Sequence, residues 1–128
     1  MNREELEGLI KGYFETVRSM EMERLITFFA EDATLEEPVG RPAAAGHDQI
    51  RRLLKGTSKI FNRFDMNTDF IRLIPPEAVV KWTTVAETHG GLEVSFQGIS
   101  YFKFRDDGKI LQMRAFWYAE ELVEKLKV

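Results

Sequence analysis

The spacing of hydrophobic positions changes about halfway along the chain. Up to residue 60, apolar side chains recur every three or four positions, the spacing of amphipathic helices. From residue 63 onward, apolar and polar residues alternate, as in strands with one buried face. This pattern predicts helices over residues 3–18, 22–30 and 46–60, a brief strand at 33–35, strands over 67–74, 78–88, 92–104 and 109–118, and one or two helical turns in 119–127.

The order of these elements predicts an α+β fold. Three N-terminal helices followed by long strands favour an antiparallel or mixed sheet that packs the helices on one face and curls around them into a cone. The sequence contains no internal repeat, linker or low-complexity segment. We therefore expect a single domain over residues 1–128.

The last two predicted strands each have two distinct faces. Over residues 92–104 the even-numbered positions form the apolar face, which we expect to line the interior. On the last strand Met113 and Trp117 share one side, and Ile110 falls on the other. The outer faces still carry large apolar side chains at adjacent positions. Such a patch favours a protein interface, here a homodimer, formed by Ile99, Tyr101, Phe116 and Tyr118.

The composition narrows the function classes. Hydrophobic residues make up 44% of the chain and charged residues 30%, which is typical of a soluble globular protein. A net charge of −3 without a basic stripe argues against a nucleic-acid partner. No run approaches the ~18 apolar residues of a membrane span, and the acidic N-terminus is unlike a signal peptide. The absence of cysteine excludes disulfides and thiolate catalysis. We expect a cytoplasmic protein that binds neither nucleic acid nor membrane.

The stretch over residues 33–46 carries the strongest candidate chemistry. It places Glu36 and Glu37 at the end of a short apolar strand and directly before a proline, which fixes a backbone angle. Neighbours along a strand point to opposite sides, so only one of these carboxyl groups should face the interior. A carboxyl group held there suits a positioned acid or base.

Tyr13, His47 and His89 are weaker candidates on spacing alone. Tyr13 belongs to the apolar stripe of the first helix, where a core tyrosine is favoured over a phenol directed into a pocket. His47 begins the third helix among polar neighbours, so we expect it to be solvated, and His89 precedes a turn. The sequence shows no metal-ligand spacing and no phosphate-binding loop, so no metal and no cofactor is expected.

Four segments together resemble ketosteroid isomerase, a family with the nuclear transport factor 2-like, or cystatin-like, cone fold. The resemblance covers nearly the whole chain, and E-E-P-V-G after A-E-D-A-T is fairly specific for this subgroup. It implies the cone fold and a small hydrophobic ligand, steroid-like or polyketide-like. The segments are G-L-I-K-G-Y-F at 8–14, F-A-E-D-A-T-L-E-E-P-V-G at 29–40, G-H-D-Q-I at 46–50 and D-G-K-I-L-Q-M-R-A-F-W at 107–117.

The resemblance also implies a role for individual residues. Glu37 stands where the family has its catalytic aspartate, the base that moves a proton between two carbons. Tyr13 matches the tyrosine that donates to the dienolate oxygen, and Ser100 replaces the second donor, a protonated aspartic acid. A serine hydroxyl is the poorer donor of the two. The residues implied to line the substrate cavity are Leu54, Phe96, Phe102, Met113 and Trp117, of which Leu54 and Phe96 replace polar groups of some members.

These expectations together predict an isomerase-type enzyme with Glu37 as its general base. Desolvation in a pocket walled by aromatic side chains is expected to raise the pKa of this carboxyl group. Two alternatives stay open. One is a non-catalytic protein of the same fold that binds a hydrophobic ligand, which the loss of the acid at Ser100 favours. The other is a related polyketide cyclase or dehydratase.

Overall fold

The computed structural model describes residues 1–127, which form four helices and six strands. Within these residues, no helix combines the length and the apolar character needed to cross a membrane. The helices are α1 (Arg3–Ser19), α2 (Met22–Ile26), α3 (Gly46–Ile60) and α4 (Ala119–Leu126). The strands are β1 (Phe29–Glu36), β2 (Ala44–Ala45), β3 (Phe61–Ile74), β4 (Glu77–Thr88), β5 (Glu93–Phe104) and β6 (Ile110–Phe116).

The first helix is defined by its two caps and its apolar stripe. Asn2 caps the start of α1, because its side-chain oxygen accepts a hydrogen bond from the backbone N–H of Glu5 at 2.8 Å. Met20 ends the helix in the left-handed conformation, with φ of 58°. The predicted helix is confirmed and is one residue longer. The stripe that it buries consists of Leu6, Ile10, Tyr13, Phe14 and Val17.

The second helix is shorter than the spacing predicts, and the prediction of helix up to residue 30 is wrong. The helix ends at Ile26, and the chain enters β1 at Phe29. Phe29 pairs with Ile110 on β6, whose N–H donates to the Phe28 carbonyl at 2.9 Å. Pairing with a distant strand therefore outweighs the local helical spacing, because it satisfies the backbone while Phe29 and Ala30 remain buried.

The six strands form one curved, unclosed mixed sheet in the order β2-β1-β6-β5-β4-β3. Strands β1 and β6 run parallel, and every other neighbouring pair is antiparallel. The α+β prediction of helices followed by a curved mixed sheet is confirmed. Strand β3 starts earlier than predicted, at Phe61 directly after α3 rather than at residue 67.

Alternation along β5 sorts its side chains as predicted. Val94, Ser100 and Phe102 are buried on the inner face, whereas Ser95 and Ile99 are exposed on the outer face. The outer face also exposes Phe116 and Tyr118.

Ile110 departs from its predicted outer position and is fully buried. The register between β5 and β6 is irregular here, since Lys103 pairs with Gln112 while Phe104 pairs with Ile110. Such an irregularity re-aims a side chain relative to strict alternation.

Candidate active site

A cavity of about 220 Å³ lies between the helices and the inner face of the sheet. Most of its lining side chains are apolar, and α1, α2, α3 and α4 each contribute to its wall. In the described part of the chain, Glu37 and Arg41 are the only charged residues that line it. The volume is below the roughly 300–1,000 Å³ common for drug-sized ligands, so the enclosed space suits a compact apolar ligand.

The two neighbouring acids after Leu35 have opposite environments. Glu36 is the last residue of β1, and its carboxylate pairs with the Arg114 guanidinium at 2.7 Å outside the cavity. Glu37 follows it and lines the cavity. The next turn is tied to β6, because the N–H of Val39 donates to the Ala115 carbonyl at 2.8 Å. This anchoring fixes the position from which Glu37 enters the cavity.

The carboxyl group of Glu37 is enclosed, although the residue as a whole is only half-buried. Its Oε1 accepts a hydrogen bond from the indole N–H of Trp117. Burial raises the pKa of this carboxyl group from its usual 4.5 to about 7, and the Trp117 hydrogen bond acts in the opposite direction. Near neutral pH the group is therefore present in both its charged and its neutral form.

Tyr13 is 3% exposed, and its ring packs edge-on against Phe14 and Phe102. It also lines the cavity, and its hydroxyl donates to the Met113 thioether sulfur at 3.2 Å. Burial, and secondarily the charge of Glu37, raises the pKa of the phenol. The phenol thus stays protonated and able to donate. Its present acceptor is weak, because thioether sulfur is a poor hydrogen-bond acceptor.

Ser100 lies on the inner face of β5, is 1% exposed and lines the cavity. Its hydroxyl oxygen accepts a hydrogen bond from the indole N–H of Trp82 at 2.9 Å. This bond occupies a lone pair and leaves the hydroxyl proton available, since no side chain or carbonyl of residues 1–127 accepts it.

The structure brings most of the other predicted residues to the same cavity. Leu54, Phe96, Met113 and Trp117 all line it.

Phe102 does not line the cavity, which corrects its prediction as a substrate contact. The residue is fully buried, and its ring packs against Tyr13, Phe14 and Phe104. Its position on the inner face of β5 is as predicted, but it lies behind Tyr13 in the core.

Among the lining residues that were not anticipated from the sequence, Trp82 and Arg41 bear directly on the chemistry of the site. Trp82 lies on β4, where alternation with Val80 and Thr84 could have placed it inside, although nothing local links it to Ser100 on β5. Arg41 lies beyond the predicted strand end, in a turn, and turns carry no alternation from which an orientation follows.

Neither histidine lies in the cavity lining. His47 is half-buried rather than solvated, because its Nε2 forms a hydrogen bond with the Phe29 carbonyl at 2.8 Å. His89 contacts the Ser58 carbonyl in the same way. Among the described residues, no group of three or more histidine, cysteine or acidic side chains is placed to hold a metal ion.

The sequence matches a known protein family over most of its length. The family described as the SnoaL-like domain matches residues 10–113. The chain belongs to the SnoaL-like family. Among curated proteins, this SnoaL-like chain is similar to a steroid Δ-isomerase of Nocardioides simplex, with 24% identity over 121 residues that cover 93% of this chain and 94% of the relative.

Solved structures share the fold. A candidate polyketide cyclase from Xanthomonas campestris pv. campestris superposes with a TM-score of 0.86 and 18% identity, over 98% of both chains. The epoxide hydrolase/cyclase-like enzyme SalBIII has a role in pyran ring formation in the polyether salinomycin. It superposes with a TM-score of 0.84 and 18% identity, over 93% of this chain and 95% of SalBIII. An NTF2-like protein of unknown function from Burkholderia pseudomallei K96243 superposes with a TM-score of 0.84 and 12% identity, over 96% of this chain and 98% of that protein. At these identities the likeness concerns the fold.

Proposed function

We propose that this chain is a ketosteroid-isomerase-like enzyme that moves a proton between carbons next to the carbonyl of a small hydrophobic substrate. The observation that carries the proposal is the carboxyl group of Glu37, enclosed in an apolar cavity with a pKa of about 7. A general base works best when its pKa lies near the working pH, since it must accept the proton and then release it.

In the proposed reaction, the Glu37 carboxylate removes a proton from the carbon next to the carbonyl. The electron pair of the broken C–H bond moves into the carbonyl, which produces a dienolate. The Glu37 carboxyl group then returns the proton to a different carbon of the same molecule. The substrate is thereby isomerised with no net gain or loss of atoms or electrons, and the scheme uses no cofactor.

Two hydroxyl groups on the cavity wall are proposed to stabilise the dienolate oxygen. Tyr13 would exchange the Met113 thioether for a negatively charged oxygen, a much better acceptor. Ser100 would donate its free hydroxyl proton while Trp82 holds its oxygen. Donors that already point at the developing charge lower the barrier, and one well-placed donor is typically worth on the order of 10²–10³ in rate.

The test compares isomerisation of 5-androstene-3,17-dione by the wild type, Glu37→Gln and Glu36→Gln. Glu36→Gln is the matched control, because its carboxylate pairs with Arg114 outside the cavity. Glu37→Gln should lower kcat by on the order of 10²–10⁴, the usual contribution of a general base. Equal rates for the wild type and Glu37→Gln, or no turnover by either, would reject the proposal. Steroid binding without turnover would point instead to a binding protein.

A second candidate function is a polyketide cyclase, supported by the SnoaL-like family match and by the fold shared with SalBIII and the Xanthomonas protein. The same base would form an enolate, whose carbon would attack a second carbonyl of the same molecule and close a ring. The products separate the two candidates, because a cyclase leaves a new carbon–carbon bond whereas an isomerase moves only a double bond.

We also propose that the outer face of β5 and β6 forms a homodimer interface. Ile99 and Phe116 are paired across the two strands and are 41% and 46% exposed, and Tyr118 next to them is 76% exposed. Adjacent exposed apolar side chains of this size favour a protein interface. Sedimentation should give a dimer for the wild type and a monomer for Ile99→Lys. A wild-type monomer would contradict the proposal.

A further inference from the structure

Arg41 occupies a distinct place in the cavity wall. It is solvent-exposed, whereas Tyr13 and Ser100 in the same lining are buried, so Arg41 lies at the mouth and they lie deeper. Its backbone is held in a turn, because its N–H donates to the Pro38 carbonyl at 3.3 Å. The turn itself is tied to β6 through Val39. The Arg41 side chain therefore starts from a fixed point on the rim.

The guanidinium of Arg41 has no acidic partner within 4.0 Å among residues 1–127. Most other arginines of the protein are engaged. Arg51 pairs with Glu23 and Asp48, Arg105 with Asp107, and Arg114 with Glu36. A planar guanidinium presents five donors in a geometry that matches a carboxylate. At the rim of an apolar cavity, this group is free to bind such a ligand group.

Glu37, the second charged residue of the lining, bears on how an anionic ligand group would be placed relative to Arg41. Glu37 lies in the enclosed part, where its charged form would repel an anionic group of the ligand. Arg41 at the mouth would attract the same group. The two charges therefore select one orientation, with the neutral carbonyl end inside and an anionic end outside.

We propose that the preferred ligands of this cavity are apolar carbonyl compounds that carry a carboxylate at the end opposite the reacting carbonyl, and that Arg41 binds this carboxylate. The inference rests on the proposed function for the identity of the reacting end. It extends that function by naming the substrate class and a specificity-determining residue. The small enclosed volume agrees with it, since a compact body inside would place its tail at the rim.

The experiment measures binding, so that its result is independent of turnover. Calorimetry compares 2-naphthylacetate with 2-naphthylacetamide, which share one apolar body and differ in charge. The proteins are the wild type, Arg41→Gln, Arg41→Lys and the control Arg52→Gln. Arg52 is an exposed arginine of α3 outside the cavity lining, and like Arg41 it forms no ion pair within residues 1–127.

The wild type should bind the carboxylate roughly fivefold to tenfold more tightly than the amide, the effect of a partly solvated charge-assisted bond. Arg41→Gln should abolish this preference, Arg41→Lys should keep part of it, and Arg52→Gln should keep all of it. Added salt should weaken carboxylate binding alone. The proposal is overturned if the wild type binds the amide equally well, fails to bind the carboxylate, or keeps its preference in Arg41→Gln. None of these results would alter the comparison of Glu37→Gln with the wild type in turnover.

Discussion

The indole N–H of Trp117 donates a hydrogen bond to Oε1 of Glu37, which joins two residues 80 positions apart in the sequence. The bond stabilises the charged carboxylate, whereas burial among apolar side chains stabilises the neutral acid. Burial is the larger effect, and the pKa of Glu37 is raised to about 7. The cavity thus contains a base that is orientated by one partner and destabilised in its charged form by its surroundings.

The raised pKa of Glu37 makes the stability of the protein depend on pH. The folded protein holds the Glu37 proton up to about pH 7, whereas the unfolded chain releases it near 4.5. Between these values the folded state binds more protons, so the free energy of unfolding should fall as the pH rises. Since the residue is only half-buried, we expect a loss on the order of 2 kcal/mol across this window.

Urea unfolding of the wild type and Glu37→Gln over the same pH series measures this loss. The variant cannot ionise at this position, so it should become progressively more stable than the wild type as the pH rises through the window. Above about pH 8 the difference should be constant. Parallel stability profiles for the two proteins would show that Glu37 titrates in the cavity as it does in the unfolded chain.

The two proposed oxyanion donors should contribute unequally. Tyr13→Phe removes a phenol and should lower kcat by on the order of 10²–10³. Ser100→Ala removes a weaker donor and should cost roughly tenfold, together with about 1–3 kcal/mol of stability, because the Trp82 indole N–H loses its buried acceptor. Both variants should change kcat more than KM, since the interaction forms with the dienolate.

Tyr101→Phe is the matched control for the tyrosine. Its hydroxyl donates to Glu77 at 2.5 Å on the outer face of the sheet, away from the cavity. Its kcat should equal that of the wild type. A Tyr13→Phe variant with wild-type kcat would remove the phenol from the mechanism.

Gly98 on β5 leaves the space that the two tryptophans of the site, Trp82 and Trp117, occupy next to it. A Cβ atom at this position would lie 2.5 Å from Cζ2 of Trp82, 2.7 Å from the Phe116 carbonyl oxygen and 2.9 Å from Cβ of Trp117. Gly98→Ala should therefore displace both indole donors and destabilise the fold by about 1–3 kcal/mol, as overpacking does. Urea unfolding measures the loss.

Gly8→Ala is the control for this substitution. Gly8 lies within α1, and an added Cβ there meets nothing within 4 Å, so alanine should stabilise the helix by about 0.5–1 kcal/mol. If Gly98→Ala were as stable as the wild type, the close approach of the tryptophans would not depend on this glycine.

Local pattern was sufficient for the features that depend on nearby residues. The stripe of α1 and the alternation along β5 both follow from spacing, and each is found in the structure. The early end of α2 and the inward position of Ile110 do not follow from spacing. The first is set by the pairing of β1 with β6 and the second by the irregular pairing of β5 with β6, and both pairings join residues distant in the sequence.

The candidate site likewise combines features that follow from local pattern with features that depend on contacts between distant residues. Alternation at the end of β1 indicates that Glu36 and Glu37 face opposite sides, but no local rule shows that Trp117 meets Glu37 or that Trp82 meets Ser100. The resemblance to ketosteroid isomerase indicated part of the cavity lining, but not which inward-facing side chains reach the cavity and which lie deeper in the core. Phe102 shows the consequence, since it faces inward yet lies behind Tyr13.

The most direct test of the account is a titration of the Glu37 side-chain carboxyl carbon by ¹³C NMR in the absence of substrate. Assignment comes from the signal that is missing in Glu37→Gln. The wild type should show a pKa of about 7 for this carboxyl group, and Trp117→Phe, which lacks the indole donor, should show a higher value. A wild-type pKa near the ordinary 4.5, unchanged in Trp117→Phe, would contradict an enclosed base at this position.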